Sequence, residues 1–172
     1  MQLRKVVLGL AAVTLLASCG AKQITKAEAI KIAQENYDSS NQVYKSAHVK
    51  SVTEVTYSDN VPAELRTEKG GTDERDITDA EQIAAFRIDS AAIEAMDEKT
   101  TVFKADGKKL EISSTLKQSE LGGSIEISGV TKVDEIGYTI ESSGVVKTTM
   151  TISSGEEYVI TVKTSGTLTW TK

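Results

Sequence analysis

The sequence predicts an α+β domain in which two helices pack on a curved antiparallel sheet of about six or seven strands. Three observations lead to this class. Segments 24–37 and 77–96 carry apolar residues at helical spacing. From Thr100 to Lys172, apolar and polar residues alternate with a period of two, and turn residues interrupt the alternation. Because this alternation gives each strand one apolar face, the two helices are expected to cover that face.

The first 18 residues have the layout of a secretory signal peptide. Arg4 and Lys5 supply positive charge, and residues 6–17 form an apolar run that only Thr14 interrupts. As a helix this run would rise by roughly 18 Å, which is well short of the hydrocarbon core of a bilayer at about 30 Å. We therefore predict that residues 1–18 are a removed leader and not a transmembrane helix.

The single cysteine, Cys19, stands directly after this run. Leu16, Ala17, Ser18 and Cys19 resemble the bacterial lipobox, in which a leucine and two small residues precede the cysteine. The resemblance implies cleavage before Cys19, transfer of a diacylglycerol to its sulfur and further acylation with a fatty acid such as palmitate. Since one myristoyl chain holds a protein only marginally, two or three acyl chains would give a durable anchor.

The same resemblance implies where the mature protein is located. Residues 19–23 would form a lipidated tether, and residues 24–172 would form a single α+β domain on the extracytoplasmic face of the cell membrane. Gly20 follows the cysteine where an aspartate would be the contrasting signal. In an organism with two membranes, this fits sorting to the outer membrane.

The charge balance excludes some partners. Of the 20 basic residues in the chain, two lie in the leader, which has no acidic residue, so the mature chain has 18 basic and 25 acidic residues and a net charge of −7. Nucleic-acid binding needs a basic surface to neutralise phosphates, so no nucleic-acid partner is expected. The membrane is expected as a partner only through the acyl chains on Cys19.

The first elements of the mature chain are a helix and a strand. Residues 24–37 predict a helix over residues 26–37, because Thr25 is a good N-cap and Glu28 completes a capping box. Residues 47–57 alternate as a half-buried strand. Its apolar face would carry Ala47, Val49, Val55 and Tyr57.

Residues 58–76 are polar and charged, which predicts an exposed loop. Residues 77–96 predict a second helix, with Thr78 as its N-cap and Glu81 three positions later. The apolar surface of this helix would consist of Ile83, Phe86, Ile93, Met96 and the alanines at positions 80, 84, 91 and 95.

The remaining sequence predicts successive antiparallel strands. Turns are expected at Asp106-Gly107, Gly122-Gly123, Gly144 and Ser154-Gly155. The last strand has the clearest alternation, with one apolar face that would either fill a core or line a site for a lipid or other apolar ligand. That face carries Tyr158, Ile160, Val162, Leu168 and Trp170.

No residues predict catalysis, a metal site or a cofactor. His48 is the only histidine, and a lone imidazole without a cysteine cannot build an ordinary zinc site. The acidic residues between 73 and 81 match no calcium-loop spacing and are interrupted by Arg75. We therefore predict that the protein is not an enzyme.

Two resemblances of the mature part suggest binding. A lipobox followed by a helix, a long loop and an antiparallel sheet resembles the LolA/LppX-like lipoprotein carriers, which implies a half-barrel around a lipid cavity. Residues 24–59, "ITKAEAIKIAQENY" followed by "VKSVTEVTYSD", are similar to a PepSY module, which implies an inhibitory or protein-binding role. The expected function is a membrane-anchored lipoprotein that binds an apolar ligand or an envelope component, and the alternative is a protein-interaction or inhibitory module on the cell surface.

Overall fold

The computed structural model describes residues 20–39, 43–120 and 122–172. The helices are α1 (Lys26–Ser39), α2 (Ala80–Ala85) and α3 (Ser90–Glu94), and Ala63–Leu65 form a short 3-10 helix. The strands are β1 (Lys22–Ile24), β2 (Ser46–Tyr57), β3 (Gly71–Ile77), β4 (Thr101–Asp106), β5 (Lys109–Glu120), β6 (Gly123–Val133), β7 (Thr139–Thr151) and β8 (Glu157–Thr171).

The eight strands form one open antiparallel sheet in the order β1-β4-β5-β6-β7-β8-β2-β3. The predicted α+β class is confirmed, but the expected number of six or seven strands is wrong because the two edge strands were missed. β1 lies in the segment assigned to the tether, and β3 lies in the segment assigned to an exposed loop. Residues 71–76 of β3 are exposed and mostly charged, so the strand is held by backbone pairing with β2 and shows no apolar alternation.

The first helix forms as the sequence predicts. The backbone N–H of Thr25 donates to Glu28 Oε2 at 2.8 Å, and the backbone N–H of Glu28 donates to Thr25 Oγ1 at 3.2 Å. These reciprocal bonds satisfy two of the backbone donors that a helix start leaves without partners. Ala29 and Ala33 are buried beneath the helix.

The second predicted helix is wrong as a single element, because residues 86–89 separate α2 from α3. The N-cap of α2 is Asp79 and not Thr78, and a second N-cap, Asp89, accepts the N–H of Ala92 at 2.8 Å. Between the helices, the N–H of Ile88 donates to the carbonyl of Gly137 in the turn between β6 and β7, and the carbonyl of Phe86 accepts the N–H of Thr139 at the start of β7. The predicted apolar surface shrinks accordingly: Ile83 and Ile93 are buried, whereas the alanines at positions 80, 84, 91 and 95 are exposed.

Most predicted turns are confirmed, but the turn at Gly144 is wrong. Gly144 lies inside β7, opposite Gly129 of β6. The turn between β6 and β7 is at residues 134–138, where Asp134 Oδ1 accepts the N–H groups of Ile136 and Tyr138. Gly137 has a φ of +94° there, a conformation that favours glycine.

The two buried clusters of the described chain lie at one end of the sheet, which we call the helix end, whereas Val61 is buried in the loop that follows β2 at the other end. One cluster packs α1 and α3 on β4, β5 and β6, and a second packs α2 and the β6–β7 turn beside β2 and β8. The opposite end, which contains the β5–β6 and β7–β8 turns, is called the distal end. The buried members of the two clusters are Ala29, Ala33, Ala47, Ile77, Ile83, Ile93, Phe103, Leu110, Ile112, Val133 and Tyr138.

Candidate functional site: an exposed apolar strip

The N-terminal motif lies outside the described residues, so the predicted leader, Leu16 to Ser18 and Cys19 have no structural account. The first described residue, Gly20, lies beside the β4–β5 turn, since a Cβ placed on it would be 3.0 Å from Asp106 Oδ2. The chain therefore enters the fold at the helix end. None of the helices in the described ranges combines the length and apolar content needed to cross a membrane.

A row of five apolar side chains crosses the distal half of the sheet. Residues directly opposite each other in antiparallel strands share a face, and the register places one apolar residue from each of five neighbouring strands in a single line. We call this row the apolar strip. Its members, in order across the sheet, are Val55, Val162, Val146, Ile127 and Leu116.

The strip shares its face with the core but is not part of it. Leu110 and Ile112 lie on the same face of β5 as Leu116, at the helix end, and both are buried. Leu116 is 46% exposed, and Ile127 is 41% exposed. The buried clusters of the described chain contain no member of the strip.

A band of small residues separates the strip from the core. In register across the same five strands, the row nearest the strip on its helix-end side consists of Thr53, Thr164, Gly144, Gly129 and Ser114. These side chains are too small or too polar to continue the core. The face is thus divided into a packed half, a small-residue band and an open apolar half.

The predicted apolar face of the last strand is divided by the same boundary. Leu168 is buried, and Trp170 packs against Tyr44, Phe86 and Tyr138 while its Nε1 donates to the carbonyl of Thr139 at 2.7 Å. These two residues belong to the helix end. Tyr158, Ile160 and Val162 lie at the distal end and are half-buried.

The sequence reasoning did not identify the partners of this face on the neighbouring strands. Leu116, Ile125, Ile127, Val146 and Met150 are exposed apolar residues on the same face. Their alternation is visible in the sequence, but their alignment depends on strand register. One available signal was Leu116, a lone apolar residue in the polar stretch "SSTLKQSE".

The opposite face, which we call the polar face, carries most of the charged side chains of the sheet, and cross-strand ion pairs link them. It also carries Val52, Val102, Val130 and Val145. Lys104 pairs with Glu111, and Lys132 pairs with Glu141, each at 2.9 Å. A hydrogen bond from the Lys132 ammonium to Glu141 raises the pKa of Lys132 above its usual value. The charged side chains of the sheet are therefore concentrated on this face.

Two further lysines on the polar face lower the pKa of the glutamates with which they pair. The hydrogen bond from Lys117 holds the pKa of Glu126 below its usual value, and the hydrogen bond from Lys50 does the same for Glu74. Both glutamates therefore stay ionised and paired at neutral pH. The polar face is a solvated surface in which the charges neutralise each other locally.

The described residues show no arrangement that predicts catalysis. His48 Nδ1 lies 2.8 Å from Asp76 Oδ1, but both side chains are more than half exposed on the polar face. No group of three or more histidine, cysteine, aspartate or glutamate residues in the described ranges could hold a metal ion. The strip itself offers apolar contact only.

A depression of about 320 Å³ adjoins the distal side of the strip and is lined by residues that include Gln118, Ile125, Thr148 and Met150. A second depression, of about 470 Å³, is lined by residues of the polar face, which include Val52, Ser113 and Val145, and by four residues of the small-residue band. Both are open to solvent. The first adds the apolar side chains of Ile125 and Met150 beside the strip, and the second contains no member of the strip.

A scan of the chain against protein-family models gives no match, and searches of curated proteins and of solved structures give none either. The N-terminal motif and the apolar strip are therefore the features from which a function can be inferred.

Proposed function

We propose that this chain is a membrane-anchored extracytoplasmic lipoprotein without enzymatic activity, and that it binds an envelope component through the apolar strip. The observation that carries the binding proposal is the alignment of five exposed or half-buried apolar side chains on the open half of the sheet. Isolated exposed apolar residues are ordinary in proteins, whereas the largest contiguous apolar patch on a monomer is often functional.

The dimensions of the strip fit the centre of a protein interface. Five strands at about 4.8 Å spacing give the strip a length of about 20 Å. Together with the next same-face row, which contains Ile160 and Ile125, it is about 14 Å wide, so the two rows cover roughly 300 Å². A standard interface buries about 800 Å² on each partner. The strip would thus be the apolar centre, and the polar side chains around it would form the rim.

The position of the strip fits a body anchored through Cys19. Gly20 lies at the helix end, and Leu116 lies six residues further along β5 than Leu110, or about 20 Å at about 3.4 Å per residue. Acyl chains on the neighbouring Cys19 would hold the helix end at the membrane. The strip would then be available to a partner some distance from the lipid.

An enclosed apolar ligand has less support. Small-ligand sites bury most of the ligand surface within concave walls, whereas the strip and its adjoining depression are open. The half-barrel and lipid cavity implied by the carrier resemblance stay predictions, and the open strip favours a protein surface as the envelope component. This is the kind of role that the PepSY resemblance also implies.

The experiment compares two pairs of substitutions on the same two strands. Ile127→Thr with Val146→Thr makes the strip polar and retains side chains suited to strands. Ser128→Thr with Val145→Thr is the matched control, because this cross-strand pair lies on the polar face. Membranes from cells expressing each full-length variant are extracted with mild detergent and separated by native electrophoresis.

We expect the wild-type and control proteins to migrate in a complex larger than the detergent-bound monomer, and we expect the strip variant to migrate as the monomer. Migration of the strip variant in the same complex as the wild type would contradict the proposed role of the strip.

A further inference from the structure

The outer edge of β5 is paired along only half its length. β5 runs from Lys109 to Glu120, but the ladder with β4 ends at the pair Thr101–Ser114. The last backbone bond on this side is from the N–H of Thr115 to the carbonyl of Thr100, at 2.8 Å. Within the described ranges, residues 116–120 have no strand on this side.

The direction of the free backbone groups follows from the alternation of a β-strand. The N–H of Thr115 points toward β4, so the N–H and carbonyl groups of Lys117 and Ser119 point the same way, into solvent. A free strand edge is a template for an extended backbone. This edge adjoins Leu116, the terminal member of the apolar strip.

The geometry points to strand addition at this edge: an extended segment of the envelope partner pairs antiparallel with residues 116–120 of β5. This inference rests on the proposed function and specifies how the partner docks. The added strand forms backbone hydrogen bonds with Lys117 and Ser119. Its side chain opposite Leu116 lies on the strip face and extends the apolar row to a sixth strand.

The side chains of β5 specify the chemistry of the added segment. Leu116 and Glu120 share the strip face, four residues apart. Complementary pairing calls for an apolar residue opposite Leu116 and a basic residue opposite Glu120. In an antiparallel segment, the basic residue precedes the apolar one by four positions.

A second copy of this chain fits the edge poorly. Two antiparallel copies that pair over the full length of residues 116–120 are centred on Gln118, which sets Leu116 of each copy opposite Glu120 of the other. Moving the centre toward Leu116 brings the second strand against Thr100 and Thr101, which already occupy that position beside β5. The edge therefore favours a different protein.

The opposite sheet edge is chemically unlike this one. The outer strand there is β3, whose residues 71–76 are exposed and mostly charged, "GTDERD". Charged side chains along an edge discourage strand addition. On that side β3 pairs with β2 only as far as Thr53, and the loop that follows β2 folds back so that the backbone of Glu68 bonds to the Tyr57 hydroxyl. The β5 edge, in contrast, combines exposed backbone groups with the adjoining end of the apolar strip.

The first test uses a labelled synthetic peptide and the full-length protein in detergent micelles. The central five residues of the peptide are lysine, threonine, valine, glutamate and valine, so that lysine faces Glu120 and the last valine faces Leu116. We expect the peptide to slow amide hydrogen exchange of Lys117 and Ser119 at least fivefold, as measured by NMR. Unchanged exchange at both amides with millimolar peptide would overturn strand addition.

The second test removes one outward-facing donor. Ser119→Pro removes the N–H that points into solvent and leaves the β5–β6 ladder donors in place, as is tolerated at sheet edges. We expect at least a tenfold loss of peptide affinity in this variant and unchanged affinity in the control Ser119→Ala. Protected amides in β6 and β7 show that the variant is folded, and equal affinity of the folded variant and the control would overturn the inference.

Native electrophoresis of the envelope complex separates this inference from the proposed function. Loss of the complex in both Ser119→Pro and the Ile127→Thr, Val146→Thr variant supports strand addition beside the strip. If only the strip variant loses the complex, strand addition is overturned and the proposed function stands. If neither loses it, both are overturned.

Discussion

At the residue scale, Tyr44 links the segment before β2 to the end of β8 and to the β6–β7 turn. Its ring stacks on Trp170 with centroids 5.2 Å apart and meets Tyr138 edge-on at 5.0 Å. Its hydroxyl donates to Asp134 Oδ2 at 2.8 Å. The pKa of Tyr44 is raised to about 12, mainly because the group is partly buried and secondly because of this hydrogen bond.

This pKa predicts a loss of stability at alkaline pH. The folded-state value lies above the ordinary value of about 10, so Tyr44 contributes stability that is fully present below pH 10 and is lost as the pH rises toward 12. The difference in tyrosinate absorbance between the wild type and Tyr44→Phe should titrate near pH 12. Titration near pH 10 in the folded protein would contradict the contacts described for Tyr44.

The division of the sheet face also predicts unequal costs for two similar truncations. Leu168 is buried, so Leu168→Ala should lower the free energy of unfolding by about 2–5 kcal/mol. Ile127 is 41% exposed, so Ile127→Ala should cost about 1 kcal/mol. Urea denaturation measures both values, and equal losses would mean that the distal half of the sheet is as well packed as the helix end.

At the element scale, α1 depends on its capping box. Thr25→Ala removes the hydroxyl that accepts the N–H of Glu28 and should lower the free energy of unfolding by about 1 kcal/mol.

The pKa of Glu28 is lowered first by the hydrogen bond from the backbone N–H of Thr25 and second by the bond from its side chain. The Glu28 contribution is therefore present above its unfolded-state pKa and is lost as the pH falls through the folded-state value.

Urea denaturation between pH 7 and pH 3 checks this prediction. The difference in stability between the wild type and Glu28→Gln should shrink at the acid end of the range. A difference that is constant with pH would mean that the Glu28 carboxylate does not act through its charge. Glu98→Gln, the same substitution at an exposed glutamate outside the helices, is the control.

The elements that could be predicted from the sequence are those with a local pattern. α1 has a capping box, β2 and β8 alternate clearly, and the β4–β5 turn has Asp106-Gly107. β3 could not be predicted from an apolar pattern, because it is held by backbone hydrogen bonds to β2 and residues 71–76 are exposed. α2 and α3 appear as one helix in the sequence because the break at residues 86–89 is made by hydrogen bonds to a turn 50 residues away.

At the scale of the whole molecule, the candidate site arises from register. The sequence identifies Val162 as part of an apolar face, but Val146, Ile127 and Leu116 join it only when four neighbouring strands are aligned. A shift of one residue in any pairing would move that strand's side chain to the polar face. The sequence therefore predicts apolar faces, and only the fold shows which parts are covered.

The proposed acylation of Cys19 would attach the whole molecule to the membrane. Cys19→Ala should leave an unacylated precursor with residues 1–18 attached, since lipid transfer needs the cysteine sulfur. Metabolic labelling with a radioactive fatty acid, followed by mass spectrometry of the purified chain, measures both effects. Equal labelling of the wild type and the variant would contradict anchoring through Cys19, and Ser18→Ala, which keeps a small residue before the cysteine, should be processed normally.

Photo-cross-linking at two adjacent positions of β7 in living cells tests the role of the strip most directly. A photoreactive amino acid at Val146 lies in the strip, and the same amino acid at Val145 lies on the polar face of the same strand. Cross-linked adducts with an envelope protein are predicted from position 146 and not from position 145. Equal adduct yields from the two positions, or adducts from position 145 alone, would contradict binding through the apolar strip.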